Sequence, residues 1–324
     1  MRRREFLGGL GGVAISSLAA RAQQALPVIG YLSGRSPDSE AALRTPFLKT
    51  LENAGFVVGQ NVDIDYRFSE GRDERLSVLA AELVQRRVTI LVATDRPSAL
   101  AAKAATATTP IIFHSAEDPV RLGLVQSLNR PNSNATGISV LNNQLGPKRL
   151  GLLREILPKP GVIAFVVNPN STSTPNQIEE MQEAARALAQ PLLILNADTE
   201  TEAERAFTTM SREKIAAVVY GASVFFQVIT NRLVALAARH AIPALYEWRE
   251  FVIAGGLMSY NANRTESARQ IGSYAAQILK GAKPGDLPVV QSSSFEFVLN
   301  LNTAKALGLT IPPTVLARAD EVIE

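Results

Sequence analysis

Cysteine is absent from the 324 residues, which excludes disulfide scaffolds, thiolate metal sites and cysteine nucleophiles. Histidine is nearly absent: His114 and His240 are the whole supply, too few for histidine-based zinc chemistry. The signatures of nucleotide and hydrolase chemistry are missing too. The turn after the first apolar run reads Ser33-Gly34-Arg35-Ser36-Pro37, not the G-x-G-x-x-G of a dinucleotide site. No G-x-x-x-x-G-K-[ST] phosphate loop and no G-x-S-x-G nucleophile elbow occurs. No cofactor, metal or catalysis is therefore expected. The remaining acids, such as Glu179-Glu180 and Glu202-Ala203-Glu204, lie on amphipathic helices where a solvated face explains them.

The positive net charge of +3 is local. Arg2, Arg3, Arg4 and Arg21 fall in the first 22 residues beside one acid, Glu5. Beyond that segment 29 basic residues face 29 acidic ones. A formally neutral body has no electrostatic footprint for DNA or RNA, so nucleic acid is not an expected partner.

Residues 1–22 read as an export signal: a basic start, a short apolar core and Ala20-Arg21-Ala22 as an A-x-A cleavage pattern. The order Arg3-Arg4-Glu5-Phe6-Leu7 resembles the twin-arginine motif. Gly8, Gly9, Gly11 and Gly12 argue against the rival reading, a stable amphipathic helix. The run Leu7 to Ala20 is too short to span a bilayer, and without cysteine no lipid anchor can form. The mature protein is expected to begin near Gln23 and to be periplasmic, secreted through a cleaved signal.

From Pro27 onward, short apolar runs alternate with amphipathic stretches of 10–16 residues, the pattern of βαβ units and parallel sheets. Strands are expected at Pro27–Ser33, Val62–Phe68, Thr89–Thr94, Pro110–His114 and 135–141, with helices between them. One helix follows Asp95, a natural N-cap with Pro97 in the first turn. After a helix at 147–157 the pattern restarts with strands at 161–168, 192–196, 216–220, 243–248 and 255–260. A long helix at 265–280 carries the chain back toward the first half. The fold expected is two Rossmann-like doubly wound α/β domains joined by a hinge. The N-terminal domain comprises 27–142 plus part of 281–324, and the C-terminal domain 143–280.

In such sheets ligands sit beyond the carboxyl ends of the strands, where helix N-termini present free amides. The strand ends carry Ser33-Gly34-Arg35-Ser36, Thr94-Asp95-Arg96-Pro97-Ser98 and His114-Ser115-Ala116-Glu117-Asp118 in the first half. The second half offers Asn168 to Ser173, Tyr220 to Ser223 and Tyr246-Glu247-Trp248. Two such facing sets would line an interdomain cleft that closes on a ligand.

Several segments carry a family resemblance, in order along essentially the whole chain. They are Pro27–Ser33, Gly59-Gln60-Asn61-Val62, Ala101–Thr106, Asp118-Pro119-Val120, Asn129-Arg130-Pro131, Pro147-Lys148-Arg149-Leu150 and Val167-Asn168-Pro169-Asn170. The C-terminal part adds Gly255–Tyr260 and Ala317–Ile323. With the leader, they resemble the ABC-transporter substrate-binding proteins of periplasmic binding fold type I, in the branch related to tryptophan- and tyrosine-binding proteins. The resemblance implies a monomer that closes on a small-molecule ligand and delivers it to a membrane permease with a cytoplasmic ATPase. A sensor subunit serving a receptor, or an exported α/β enzyme, are the alternatives.

The expected ligand is small and bears a carboxylate, an amino acid or aromatic acid. Asn168, Asn170 and Ser173 head the candidates, because their loop opens a helix whose amides suit a carboxylate. Capping that helix is their competing role. Thr94, Asp95 and Ser98 occupy the matching turn of the first domain, together with Ser33 at the first strand end. Relatives often have a glycine-rich turn there, so Asp95-Arg96 is a departure; Asp95 either meets a ligand ammonium or only caps its helix. His114 and Ser115 end a strand and could hydrogen-bond a ligand, or serve only the structure. Tyr220 and Tyr246 are the aromatics chosen to sandwich a flat ring. His240 and Asp118 read better as helix-end residues.

Overall fold

The computed structural model describes residues 26–140 and 145–324. The export signal expected at 1–22 lies outside the described residues. The first sheet begins with β1 (Val28–Ser33), β2 (Asp63–Phe68), β3 (Ile90–Ala93), β4 (Ile111–Ser115) and β5 (Ala135–Ser139). The second holds β6 (Ile163–Val167), β7 (Leu192–Asn196), β8 (Ala217–Tyr220), β9 (Ala244–Tyr246) and β10 (Met258–Ala262). Three late strands, β11 (Val290–Gln291), β12 (Phe295–Asn300) and β13 (Glu321–Ile323), divide between the sheets. β3, β4, β5, β6 and β8 are buried at every residue, because helices cover both faces of a parallel sheet. That is why they appear in the sequence as unbroken apolar runs.

The first sheet runs β11-β5-β4-β3-β1-β2 and the second β13-β12-β10-β9-β8-β6-β7. Every pairing is parallel except β10 with β12. In both sheets the strand order reverses beside the first strand of the half, between β1 and β3 and between β6 and β8. Loops leaving these neighbouring strands diverge to opposite faces and open a crevice at their carboxyl ends.

Three connections link the domains: one after β5, one after β10 and one from β11 to β12. The second corrects the boundary drawn from sequence. Helix Arg264–Leu279, assigned by the 143–280 boundary to the C-terminal domain, packs on helix Ala41–Asn53 of the first. Its Ile271, Tyr274 and Ala275 join Tyr31, Phe47 and Leu51 in one apolar cluster. The helices cross so closely at Gly272 that a Cβ there would sit 2.9 Å from the Phe47 carbonyl oxygen. Of the tail, β11 extends the first sheet, whereas β12 and β13 complete the second and bury Leu299, Ala304 and Val315 in its core.

Candidate functional site

The cleft lies where the two crevices face each other, a cavity of about 720 Å³ with its open mouth included. Arg35, Asp73, Asp95, Arg96, His114 and Glu117 come from the first domain. Asn168, Ser171, Ser173, Ser223, Phe225, Gln227, Glu247 and Trp248 come from the second.

Asp95 anchors the first wall. It is the N-cap of helix Arg96–Ala105, accepting from Ser98 N at 2.9 Å while Ser98 Oγ accepts from Asp95 N at 3.1 Å. Its other oxygen accepts from Gly34 N at 2.7 Å and lies 3.7 Å from Arg35 Nη1. The carboxylate expected either to meet a ligand or to cap is thus occupied by capping and by Arg35. Arg35 is almost wholly buried; its Nη1 donates to Glu40 Oε2 and to the Thr94 carbonyl, both at 3.0 Å. Burial alone would lower its pKa, but Glu40 and Asp95 hold it raised.

Two N-domain arginines then reach across the cleft to one acceptor. Arg35 Nε donates to Gln227 Oε1 at 2.6 Å and Arg264 Nη2 donates to the same oxygen at 2.7 Å. The Arg264 guanidinium also lies 3.9 Å from the centre of the Trp248 ring, a cation–π contact with the second domain. Burial and the nearby Arg35 push the Arg264 pKa down to about 10, against the pull of Glu250, Glu40 and Glu247. Nearer the mouth Arg96 pairs with Glu117 at 2.8 Å and donates to Thr172 Oγ1 of the other domain. These bonds hold the two walls together, so the structure is a closed clamp.

Three further titratable groups line the cleft: His114, Glu247 and Asp73. Burial, with the charges of Arg35 and Arg264, pushes His114 down to about 3, leaving a neutral ring whose Nε2 has no partner. Burial raises Glu247 despite Arg149, Arg264 and Arg35 nearby. At the mouth, burial and the neighbouring Asp95 and Glu74 raise Asp73 to about 6 against the attraction of Arg96.

Of the residues singled out from sequence, Asp95, His114, Asn168 and Ser173 line the cleft. Asn168 donates to Ser223 Oγ at 3.2 Å and accepts from Asn170 N at 2.9 Å. Ser173 is the residue before helix Thr174–Ala187, makes no side-chain cap bond, and accepts from Gln177 Nε2 at 2.8 Å. Asn170 instead turns outward to Asp198 at 2.6 Å. Ser33, Thr94, Ser98 and Ser115 are buried beneath the wall: Ser33 donates to Glu40, Thr94 accepts from Arg35, Ser98 completes the cap, and Ser115 closes a turn on Glu117.

The tyrosine pair is placed differently from expectation. Tyr220 and Tyr246 stack on each other, ring centres 5.4 Å apart, and Tyr246 stacks in turn on Phe251 at 4.7 Å. Tyr246 belongs to the core between the second sheet and its helices, and Tyr220 borders a smaller hollow beside the cleft. Phe225 and Trp248 supply the cleft's aromatic surface instead. Among the described residues no group of three or more His, Asp or Glu is arranged to hold a metal, and no helix is long and apolar enough to cross a membrane.

A family model described as ABC transporter substrate binding protein matches residues 28–323. The chain is 26% identical over 270 residues to a tyrosine-binding protein of Clostridioides difficile (strain R20291), covering 81% of this chain and 75% of that one. Among solved structures it is similar to an ABC domain in complex with L-Trp from Streptococcus pneumonia. That match has a TM-score of 0.83 and 26% identity, covering 92% of this chain and all of that one. A ligand-free, open substrate-binding protein with adhesive properties from Clostridium difficile covers the same 92% of this chain, and 99% of its own, at 25% identity. Its TM-score is only 0.66. The described domain arrangement thus matches the ligand-bound relative better than the open one.

Proposed function

The chain belongs to the ABC transporter substrate binding protein family, and from that membership we propose that it captures an amino acid or aromatic acid by domain closure. The observation that carries this reading is the cleft itself, walled by both domains and bridged by Gln227 to Arg35 and Arg264. A ligand that touches both walls stabilises only the closed state, which makes closure a consequence of binding. The ligand carboxylate fits the start of helix Thr174–Ala187, where Ser173 makes no side-chain cap bond; Pro175 has no N–H and Thr174 N donates to the Ser171 carbonyl, so Asn176 N is the first-turn amide left to receive it. Phe225 and Trp248 offer the apolar surface for a ring. Relatives named for tyrosine binding and solved with L-Trp support an aromatic amino acid as the first ligand to test.

The closed protein then docks on an ABC permease driven by a cytoplasmic ATPase, acting as a monomer outside the cytoplasmic membrane and without chemistry of its own. A thermal-shift screen of amino acids, aromatic acids, sugars and purines tests the capture step. At a hundredfold excess over Kd a ligand adds about 2.7 kcal/mol of stability. A shift of several degrees with an amino or aromatic acid recovered unaltered is the expected result. Consumption of the compound, or a response confined to sugars or purines, contradicts the proposal.

A further inference from the structure

The second domain meets the first at two glycines. Helix Val224–Val228, just after β8, is anchored in its own domain: Phe226 is buried in the core, edge-on to Tyr220 with ring centres 5.6 Å apart, and Phe225 and Val228 pack against that core. The same helix touches the turns that follow β1 and β2 of the first domain. A Cβ at Gly34 would sit 3.3 Å from Val224 Cγ1, and one at Gly71 would sit 3.6 Å from Val228 Cγ2 and 3.9 Å from Phe225 Cα. The two glycines form one backbone surface, because Gly71 N donates to the Gly34 carbonyl at 2.7 Å and Ser69 N to the Ser33 carbonyl at 3.0 Å. Asp95 Oδ2 braces that surface by accepting from Gly34 N at 2.7 Å. At Gly71 φ is +80°, so a side chain there would be strained as well as crowded.

We propose that this contact is the end stop of closure: the helix seats on bare backbone at Gly34 and Gly71, and the seat, not the ligand, fixes how far the clamp shuts. The inference rests on the capture reading and deepens it, because the ligand is then gauged against a cavity of set size. Hydrogen-bonded backbone on one side and a packed core on the other resist compression, as a stop requires. Seat and latch share one element. Gln227 belongs to the seated helix, and in this position its Oε1 receives both Arg35 and Arg264. Gly71, Val224 and Phe225 also line the ligand cleft, whereas Gly34 stands behind its wall. A ligand too large for the cavity holds the helix off the seat and forfeits the latch bonds as well, so excess size is penalised twice.

A disulfide trap tests the seat directly, since the chain has no cysteine of its own. In Gly71→Cys with Val228→Cys the two Cβ atoms fall 4.0 Å apart, within the range a disulfide spans. Under a mild oxidant the ligand-free whole protein is expected to cross-link within the chain, read on a non-reducing gel, because oxidation accumulates even a briefly visited closed form. The control pair Gly55→Cys with Val228→Cys bears the same left-handed backbone cost, φ +94° at Gly55, but nothing lies within 4 Å of a Cβ there. It should oxidise at least about tenfold more slowly. No cross-link, or equal rates in the two pairs, overturns the seat. A second arm uses calorimetry with L-tyrosine and L-tryptophan. Gly34→Val should weaken whichever of them binds by about tenfold or more, but by about threefold or less in a Val224→Ala background, where the opposing methyls are gone. Equal loss in both backgrounds assigns the effect to crowding of Asp95 Oδ2, 3.2 Å from the added Cβ, and overturns the stop. If the cross-link forms while neither amino acid binds the unsubstituted protein, the capture reading fails for aromatic ligands and the seat stands.

Discussion

Removing the Gln227 side chain breaks the one acceptor shared by two arginines of the opposite domain. In the closed form its Oε1 receives Arg35 Nε at 2.6 Å and Arg264 Nη2 at 2.7 Å. Hydrogen bonds to charged groups contribute about 1.5–3 kcal/mol each. Not all of that is lost on closure in Gln227→Ala, because neither arginine is stranded. Arg35 keeps Glu40 and the Thr94 carbonyl, and Arg264 keeps Glu250 at 3.5 Å and the face of Trp248. In the open form the glutamine amide would return to water, so the open state loses almost nothing. The net penalty on closure is then about 1–3 kcal/mol, or about 5- to 150-fold in the closed-to-open ratio. Where the free protein is mainly open, ligand affinity falls by the same factor, since the competent fraction multiplies the intrinsic constant. Titration calorimetry measures the affinity, and small-angle scattering of the ligand-free protein measures the closed fraction through its radius of gyration. Weaker binding with a larger ligand-free radius, or with an already open one, is expected. Unchanged affinity together with an unchanged radius refutes the role of Gln227 as a latch.

Asn168→Ala should weaken ligand binding by about 1–2 kcal/mol, because the loop before helix Thr174–Ala187 loses its ties to Ser223 and Asn170; calorimetry returning the unsubstituted Kd would remove Asn168 from the site. Asp95→Ala should cost about 2–4 kcal/mol in urea unfolding, as the helix cap, the Gly34 bond and the Arg35 pair disappear together, and a loss under about 1 kcal/mol would contradict this. The raised pKa of Asp73, about 6, means that between about pH 4 and pH 6 the folded protein holds a proton that the unfolded chain releases. Stability contributed there is present at the acid end and declines as pH rises through 6. Asp73→Asn should accordingly raise the melting temperature at pH 7.5 and not at pH 4, by a small amount because solvent still reaches part of this side chain and screens it; an equal shift at both pH values refutes it. The depressed His114 works in the opposite direction: as pH falls from about 6.5 toward 3, the unfolded chain gains a proton that the folded one refuses. Ligand-free stability should fall over that range with a slope of up to about 1.4 kcal/mol per pH unit from this residue, and His114→Gln should flatten it.

The fold was legible because its strands are buried on both faces and its helices are not. That contrast writes Ile90–Ala93 and Ile163–Val167 as continuous apolar runs between amphipathic stretches. The helix cap at Asp95 was also legible, since Asp, Pro and Ser at that spacing act locally. What local pattern does not contain is which sheet a helix covers. Arg264–Leu279 marks a return toward the first half, but its own pattern does not say where the domain boundary falls; the packing of Ile271, Tyr274 and Gly272 against Phe47 and Leu51 does. The cleft segments were found, but the side chains were placed too early. Ser33, Ser115 and Tyr246 end their strands inside the layer, while Arg35, Glu117 and Trp248, two positions further on, reach the cleft. Arginine just past a strand end with an acid five residues on, as in Arg35 and Glu40, was a usable signal. Gln227 gave none, because its partners stand 192 and 37 residues away in the chain.

In the proposed capture cycle this protein closes on an amino or aromatic acid and releases it unchanged. Scattering and calorimetry on one preparation, titrated with L-tyrosine and with L-tryptophan, test it most directly. One-to-one saturable binding, a radius of gyration that shrinks on saturation or is already compact with the Gln227 latch intact, and complete recovery of the ligand are the predicted result. Binding of neither compound, or their chemical conversion, would contradict it.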